Sequence, residues 1–332
     1  FITFNLNNSG DMTIENTQCD SVNFQGKFNP TIAGDGALRI NPITWNAKDY
    51  LTYPLINDPK LTTLPDTIGR GTRGQTHFWH DVNLNFAAHT GFLLLEGNSI
   101  TFHEKYDYKR NAVTAITGRP ASDVGSHQAL IARIGCSNSA DIKAFGDVKS
   151  ESESLLPILW WADHNIQTYS DVTFEQNNVA HGALMLYAAN DVLTYNRGKK
   201  FKVTHKNPDE IFIGARRDIR TQTKDVIERT KIGRTKLIAG NDIDIQNSFL
   251  FDGQGTTDPG DTVLLYAGRD VLTNSQCLGG PMEYKLGNNN GGHIDIRAGR
   301  DVITKDKLTF SLGNTSNKVR NVSIAAQGGN VE

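Results

Sequence analysis

The chain has 332 residues, 31 of them glycine and 10 proline, with 21% charged and 8% aromatic side chains; this suits a folded, turn-rich chain better than a disordered one. A formal net charge of −2 disfavours a polyanionic partner such as nucleic acid or an anionic membrane surface. No apolar run approaches the roughly 18 residues that suggest a membrane span, so no membrane insertion is expected of this segment.

In chain order, the sequence opens on FITFNL with neither Met nor a signal peptide, and reads as a piece of something longer. Cys19, Cys136 and Cys277 lie too far apart for a CxxC zinc or redox motif. Residues 30–135 have no evident period, although Val82, Leu84 and Phe86 fall on one face of a strand. This stretch is either an irregular part of the fold that follows it or a small separate domain. The chain therefore divides into an irregular 1–139 and a regular 140–332. His77, His80, Asp81 and His89 resemble a ligand cluster. On a strand, however, positions i and i+3 point to opposite faces, so no metal is expected there. GRGTRG (69–74) and GNNNGG (287–292) lack the lysine of a phosphate loop and read as loops.

From residue 140 onward one phrase recurs, in forms such as LLYAGRDVLTN and DIRAGRDVITK. Its anchors are Asp147, Asn165, Asp191, Asp218, Asp242, Asp270 and Asp301, at intervals of 18, 26, 27, 24, 28 and 31 residues. Three residues before each stands an alanine: Ala144, Ala162, Ala188, Ala215, Ala239, Ala267 and Ala298. A β-branched residue follows each anchor, and both flanks alternate with period two. Such a unit predicts two short strands around a tight corner, then a variable loop such as that between Thr273 and His293. The alanines should form one buried file. Gly240, Gly268 and Gly299 are expected to supply positive φ, and the anchor aspartates to hold a nearby backbone N–H in an Asx-type turn. Arg217, Arg269 and Arg300 should stand in solvent. Leu193, Leu272 and Ile303, with Tyr266 across the corner, should point outward; Tyr266, Leu272 and Ile303 make a candidate contact surface, covered by the 275–292 loop or by a partner.

Repeats of this kind, without amphipathic helical stretches, predict an all-β chain: a right-handed parallel β-helix, or solenoid, with coils of roughly 18–31 residues. The AGxDI phrase with its alternating Thr and hydrophobic residues resembles the repeats of filamentous-haemagglutinin-like, two-partner-secretion adhesins, over about 140–332, with looser echoes at LLLEGNSITF (93–102) and NSGDMTIEN (8–16). In place of that family's NPNG-like secretion signature the chain has only FNPTIAG and INPITW, so the resemblance implies shaft rather than secretion domain. It implies an extracellular location on a bacterial surface, a protein or glycan surface ligand, and possible self-association into filaments. No catalytic residue, cofactor or metal is expected. The alternative is a carbohydrate-active lyase or hydrolase on the same fold, in which carboxylates of neighbouring coils converge. Against that, the aspartates here recur at a corner. The nine-residue calcium repeat is likewise about three times too short to match.

Overall fold

The computed structural model describes residues 1–6, 12–16, 20–33, 37–42, 74–87, 93–110, 128–135, 140–153, 157–231, 233–253, 261–274, 281–286, 292–312 and 320–332. Every regular element among them is a β-strand, and successive strands join three different sheets in rotation. The sheets hold 11, 10 and 11 described strands. One coil shows the logic: Leu184–Ala188 lies in sheet 1, Val192–Thr194 in sheet 2 and Lys200–His205 in sheet 3. Each pairs in parallel with its counterpart on the next coil, so the other two sheets provide the crossover that parallel strands require. The result is a parallel β-helix.

Sequence alternation explains the orientation of each strand. In sheet 2, Val192 and Thr194 face inward; in sheet 3, Phe201, Val203 and His205 do. Sheet 1 reads differently, as ILWWA, LMLYA and IFIGA. Its inward residues, Ile158, Trp160 and Ala162 among them, belong to the axial core, and its outward residues form a second buried apolar layer with Leu159, Trp161, Met185, Tyr187, Phe212 and Ile238. Burial on both faces is what near-continuous hydrophobic strands produce in a parallel sheet.

Three strands per coil is one more than the repeat predicts. The extra strand is that of sheet 3, and it lies inside the stretch read as variable loop: Met282–Leu286 pairs with Phe249–Gly253 on one side and Leu308–Leu312 on the other. This strand cannot fold back over an outward stripe. Residues 275–280 and 287–291 lie outside the described residues.

The alanines at the end of sheet 1 stack in register, Ala162 on Ala188, Ala215, Ala239, Ala267 and Ala298, all essentially without exposure. Side chains there meet the opposing sheets where the interior narrows. Ala267→Leu is therefore expected to cost about 1–3 kcal/mol by overpacking, read by denaturant unfolding.

Ala144 is not in this file. It belongs to sheet 2 and pairs with Phe102 and Thr168. The sheet 1 to sheet 2 corner of that coil carries Asp141, whose separation from Asn165 is 24 residues. The 18-residue interval is thus a step from one corner to another, not a coil, and the following steps along the file are 26, 27, 24, 28 and 31.

The sheets extend through the described part of 1–139 by the same register: Leu38 pairs with Leu93, Leu93 with Gln128, and Gln128 with Ile158. Residues 43–73 and 111–127, on which much of the separate-domain reading falls, lie outside the described residues.

Candidate functional surface: the ladders at the corners

At the corner from sheet 1 to sheet 2 the backbone N–H of each anchor points along the axis, so its acceptor lies on the neighbouring coil. Asp141 Oδ1 accepts from the Asn165 N–H at 3.0 Å, Asn165 Oδ1 from Asp191 at 3.1 Å, and Asp191 Oδ1 from Asp218 at 3.1 Å. Asp218, Asp242, Asp270 and Asp301 continue the series to Asp242, Asp270, Asp301 and Asn330 at 2.8–3.2 Å. The expected local Asx turn is replaced by an inter-coil ladder.

At five rungs the residue before the anchor completes the contact by matching the charge of the acceptor below it, whereas the neutral Asn241 and Gly329 stand above Asp218 and Asp301. Arg217, Arg269 and Arg300 place Nε 2.8 Å from Oδ1 of Asp191, Asp242 and Asp270, with Nη2 on the second oxygen. Above the neutral Asn165 stands the neutral Asn190, donating at 2.9 Å. Above Asp141 stands His164, with Nδ1 at 2.7 Å, while Lys143 approaches from the side at 3.2 Å. The arginines do reach solvent, yet they are not simply solvated. Their carboxylate partners are nearly buried, and a bidentate guanidinium is the side chain that fits them.

Burial alone would raise the Asp242 carboxyl, but the Arg269 hydrogen bonds and charge, with the Asp270 N–H, hold it below the usual carboxylate range. At the other corner Asp147 is also held low, first by the Ser170 hydroxyl. Carboxylates depressed in the folded chain stabilise it above their unfolded value near 4 and lose that contribution as pH falls through the folded value. The solenoid is expected to weaken below about pH 4. Asp242→Ala, which strips the acceptor from Arg269 and the Asp270 N–H, should cost about 1–3 kcal/mol. Asp242→Asn, keeping one acceptor, should cost less; denaturant midpoints at pH 7 decide the order.

Gly240, Gly268 and Gly299 occupy one column of this corner for a reason other than φ. Positive φ occurs among the described residues at Asn41, Asn196, Asn274 and Gly182 instead. A Cβ at Gly268 would sit 2.0 Å from the Gly240 carbonyl oxygen, and one at Gly299 2.0 Å from that of Gly268. Close axial approach of the backbone demands the glycines.

Asp147 stands at the corner from sheet 2 to sheet 3, where it performs the same service. Its Oδ1 accepts from the Asp171 N–H at 3.2 Å, and Asp171 accepts from the Lys200 N–H at 2.8 Å. Beside it runs a feature the sequence analysis missed, a stack of Trp79, His103, Phe145, Tyr169 and Tyr195 on consecutive coils. Ring centroids are separated by 3.8, 5.9, 4.8 and 4.7 Å, with planes within 22° of parallel. Trp79 and Phe145 are 40% and 45% exposed. Because each ring covers its neighbour's face, the stack presents edges outward, so a sugar ring cannot lie flat on its middle rungs. The column continues in Gln222, Gln246 and Asn274.

His77 meets not His80 but His103, with Nδ1 3.2 Å from Nε2, and burial and the neighbouring ring hold the His77 pKa low. His89 lies outside the described residues, and among those described no group of three or more His, Cys, Asp or Glu could hold a metal ion. No described helix is long and apolar enough to cross a membrane.

The outward file of sheet 2 runs Leu193, Arg220, Asp244, Leu272 and Ile303. Leu193 is buried; Leu272 and Ile303 are half-buried neighbours; Arg220 and Asp244 pair at 3.3 Å between them. Tyr266, half-buried, packs against the outer apolar layer of sheet 1. The stripe is shorter and less exposed than the aromatic stack. Compared with protein-family models, curated proteins and solved structures, the chain finds no match.

Proposed function

We propose that this chain is a structural and adhesive shaft segment of a large secreted or surface-attached bacterial protein, free of catalysis and cofactor. One observation carries the reading: the carboxylates recurring at the corners are engaged by backbone N–H groups and arginines of adjacent coils, which makes them part of the scaffold. Eleven rungs at the ordinary strand spacing span about 50 Å, a rod whose sides offer repeated contacts. The outward edges of Trp79 and Phe145, and the stripe of Tyr266, Leu272 and Ile303, are the surfaces through which it would meet a protein or glycan, or a second shaft.

Among the described residues, Asp141 flanked by His164 and Lys143 is the constellation that favours the enzyme reading. One experiment separates the two. The chain is coated on beads and scored for attachment to glycan arrays and epithelial cells. In parallel it is incubated with acidic and neutral polysaccharides, and new unsaturated or reducing ends are measured. Attachment that weakens in Trp79→Ala/Phe145→Ala, without cleavage, supports the shaft. Cleavage that disappears in Asp141→Asn would replace it with the enzyme, and no attachment to any surface would remove the adhesive part.

A further inference from the structure

Sheet 3 contains one rung that breaks its own rule. Along the first inward file, Val148, Val172, Phe201, Asp225, Phe249 and Met282 succeed one another in register. Asp225 is 5% exposed, and it stands in a file whose other named members are all hydrophobes. Thr223 Oγ1 donates to its Oδ1 at 2.6 Å and touches Thr194 Oγ1 at 2.7 Å. The remaining walls are Val192, Phe201, Ile213, Ile219, Thr221, Ile227, Leu237 and Phe249, around a cavity of about 20 Å³.

No cation offsets this carboxyl among the described residues that line its site. The adjoining strands face it with Phe201 and Val203 on one side and Phe249 and Phe251 on the other. Sheets 1 and 2 contribute only aliphatic residues and threonines. His205 and Arg229 share sheet 3 but lie at its far end. His205 is held between the carbonyls of Asn207 and Gly182, and Arg229 bonds those of Asn207, Asp209 and Arg234. An ionised carboxylate buried without a cation is strongly disfavoured, and the cavity has room for about one water, far from a hydration shell.

We propose that Asp225 is a pH-sensitive joint within the shaft: packed as a neutral acid, it holds the coils between Val192 and Phe249 closed, and its ionisation loosens them. Burial pushes the carboxyl up to about 7 from an ordinary 3.8, against the opposing hydrogen bond of Thr223. The folded chain therefore keeps a proton that the unfolded chain has already lost. Stability from this site is greatest below about pH 4 and falls as pH rises towards 7, where the folded acid itself ionises. The folding constant drops by about a thousandfold across that window. The sign is opposite to that of the corner aspartates.

The test is amide hydrogen exchange, corrected for intrinsic rates, on the whole chain at pH 5, 7 and 9, for the native sequence and for Asp225→Asn. Native amides between residues 192 and 249 are expected to open more than tenfold more often at pH 9 than at pH 5. In Asp225→Asn that increase should vanish, while residues 292–312 behave alike in both. Every other ionisable group is common to the two proteins, so the difference isolates Asp225. Equal pH dependence in the two proteins, or none in the native one, overturns the proposal. Should Asp225→Asn fail to fold, Asp225→Val, which restores the file's own residue type, takes its place with the same expectations. Infrared absorption gives an independent reading: a protonated carboxyl band at pH 6 that Asp225→Val lacks supports the joint, and its absence from the native chain refutes it.

Discussion

Gly268→Val is expected to abolish the regular coils around residue 268, a loss exceeding about 3 kcal/mol. The added Cβ would be placed 2.0 Å from the Gly240 carbonyl oxygen, and that oxygen is not the tip of a flexible side chain. It belongs to a corner fixed on both flanks, with the Gly268 N–H bonded to Ala239 O at 3.0 Å and the Arg269 N–H to Asn241 O at 2.8 Å. Relief requires two coils to separate, which would break pairings in sheets 1 and 2 together. Circular dichroism and limited proteolysis of the purified variant would show it; a native-like thermal transition would mean that the corner can open at little cost. Gly268→Ala should already be strongly destabilising, since the first carbon makes the clash.

Trp160→Ala should cost about 3–5 kcal/mol. Trp160 points into the axial core from sheet 1, 1% exposed, with Phe174 edge-on at 5.2 Å and Tyr106 at 6.1 Å. Its Nε1 donates to Gln128 Oε1 at 2.9 Å, and Gln128 in turn donates to Ser150 at 2.8 Å. Removing the indole thus leaves a large cavity and an amide oxygen without its donor. Trp160→Phe should recover most of the packing term. Trp79→Ala, at an exposed rung, is the matched comparison and should shift the denaturant midpoint far less.

The corner between sheets 1 and 2 was legible because it is tight and nearly constant in length. Alanine and an aspartate or asparagine recur there at every coil from Ala162 onward, and glycine joins them at Gly240, Gly268 and Gly299, while Asp163, Ala189 and Arg216 hold the same column on the earlier coils. Sheet 3 was harder to see, since the connection that follows it varies, so MEYKL between Met282 and Leu286 has no fixed distance to the next anchor. Asp147 was set in the wrong column because KAFGDV and YAANDV look alike, with Ala three residues before an acidic or amide residue and Val after it. Only the pairing of Ala144 with Thr168 distinguishes them. The Arg269 partner lies 27 residues away on another coil, and no local pattern announces it. The aromatic stack recurs at 24, 42, 24 and 26 residues, an interval scrambled by one long insertion. Asp225 was visible as a letter but not as an anomaly, because its file is defined only once sheet 3 is known.

The coil-to-coil ladders also determine how the rod bears tension. Backbone pairings in all three sheets, and the Asp191 to Asp218 rungs, run along the axis, so a pull on the two ends loads every coil interface in series, and the outermost coil, paired on one side alone, gives way first. Rupture proceeds as peeling, one coil at a time, rather than as the simultaneous shear of a long interface. Each detached coil of 24 to 31 residues pays out roughly 80–110 Å of extended chain. A solenoid of this design, held at both ends, would yield in repeated steps of unequal length, lengthening greatly before its last coil gives way.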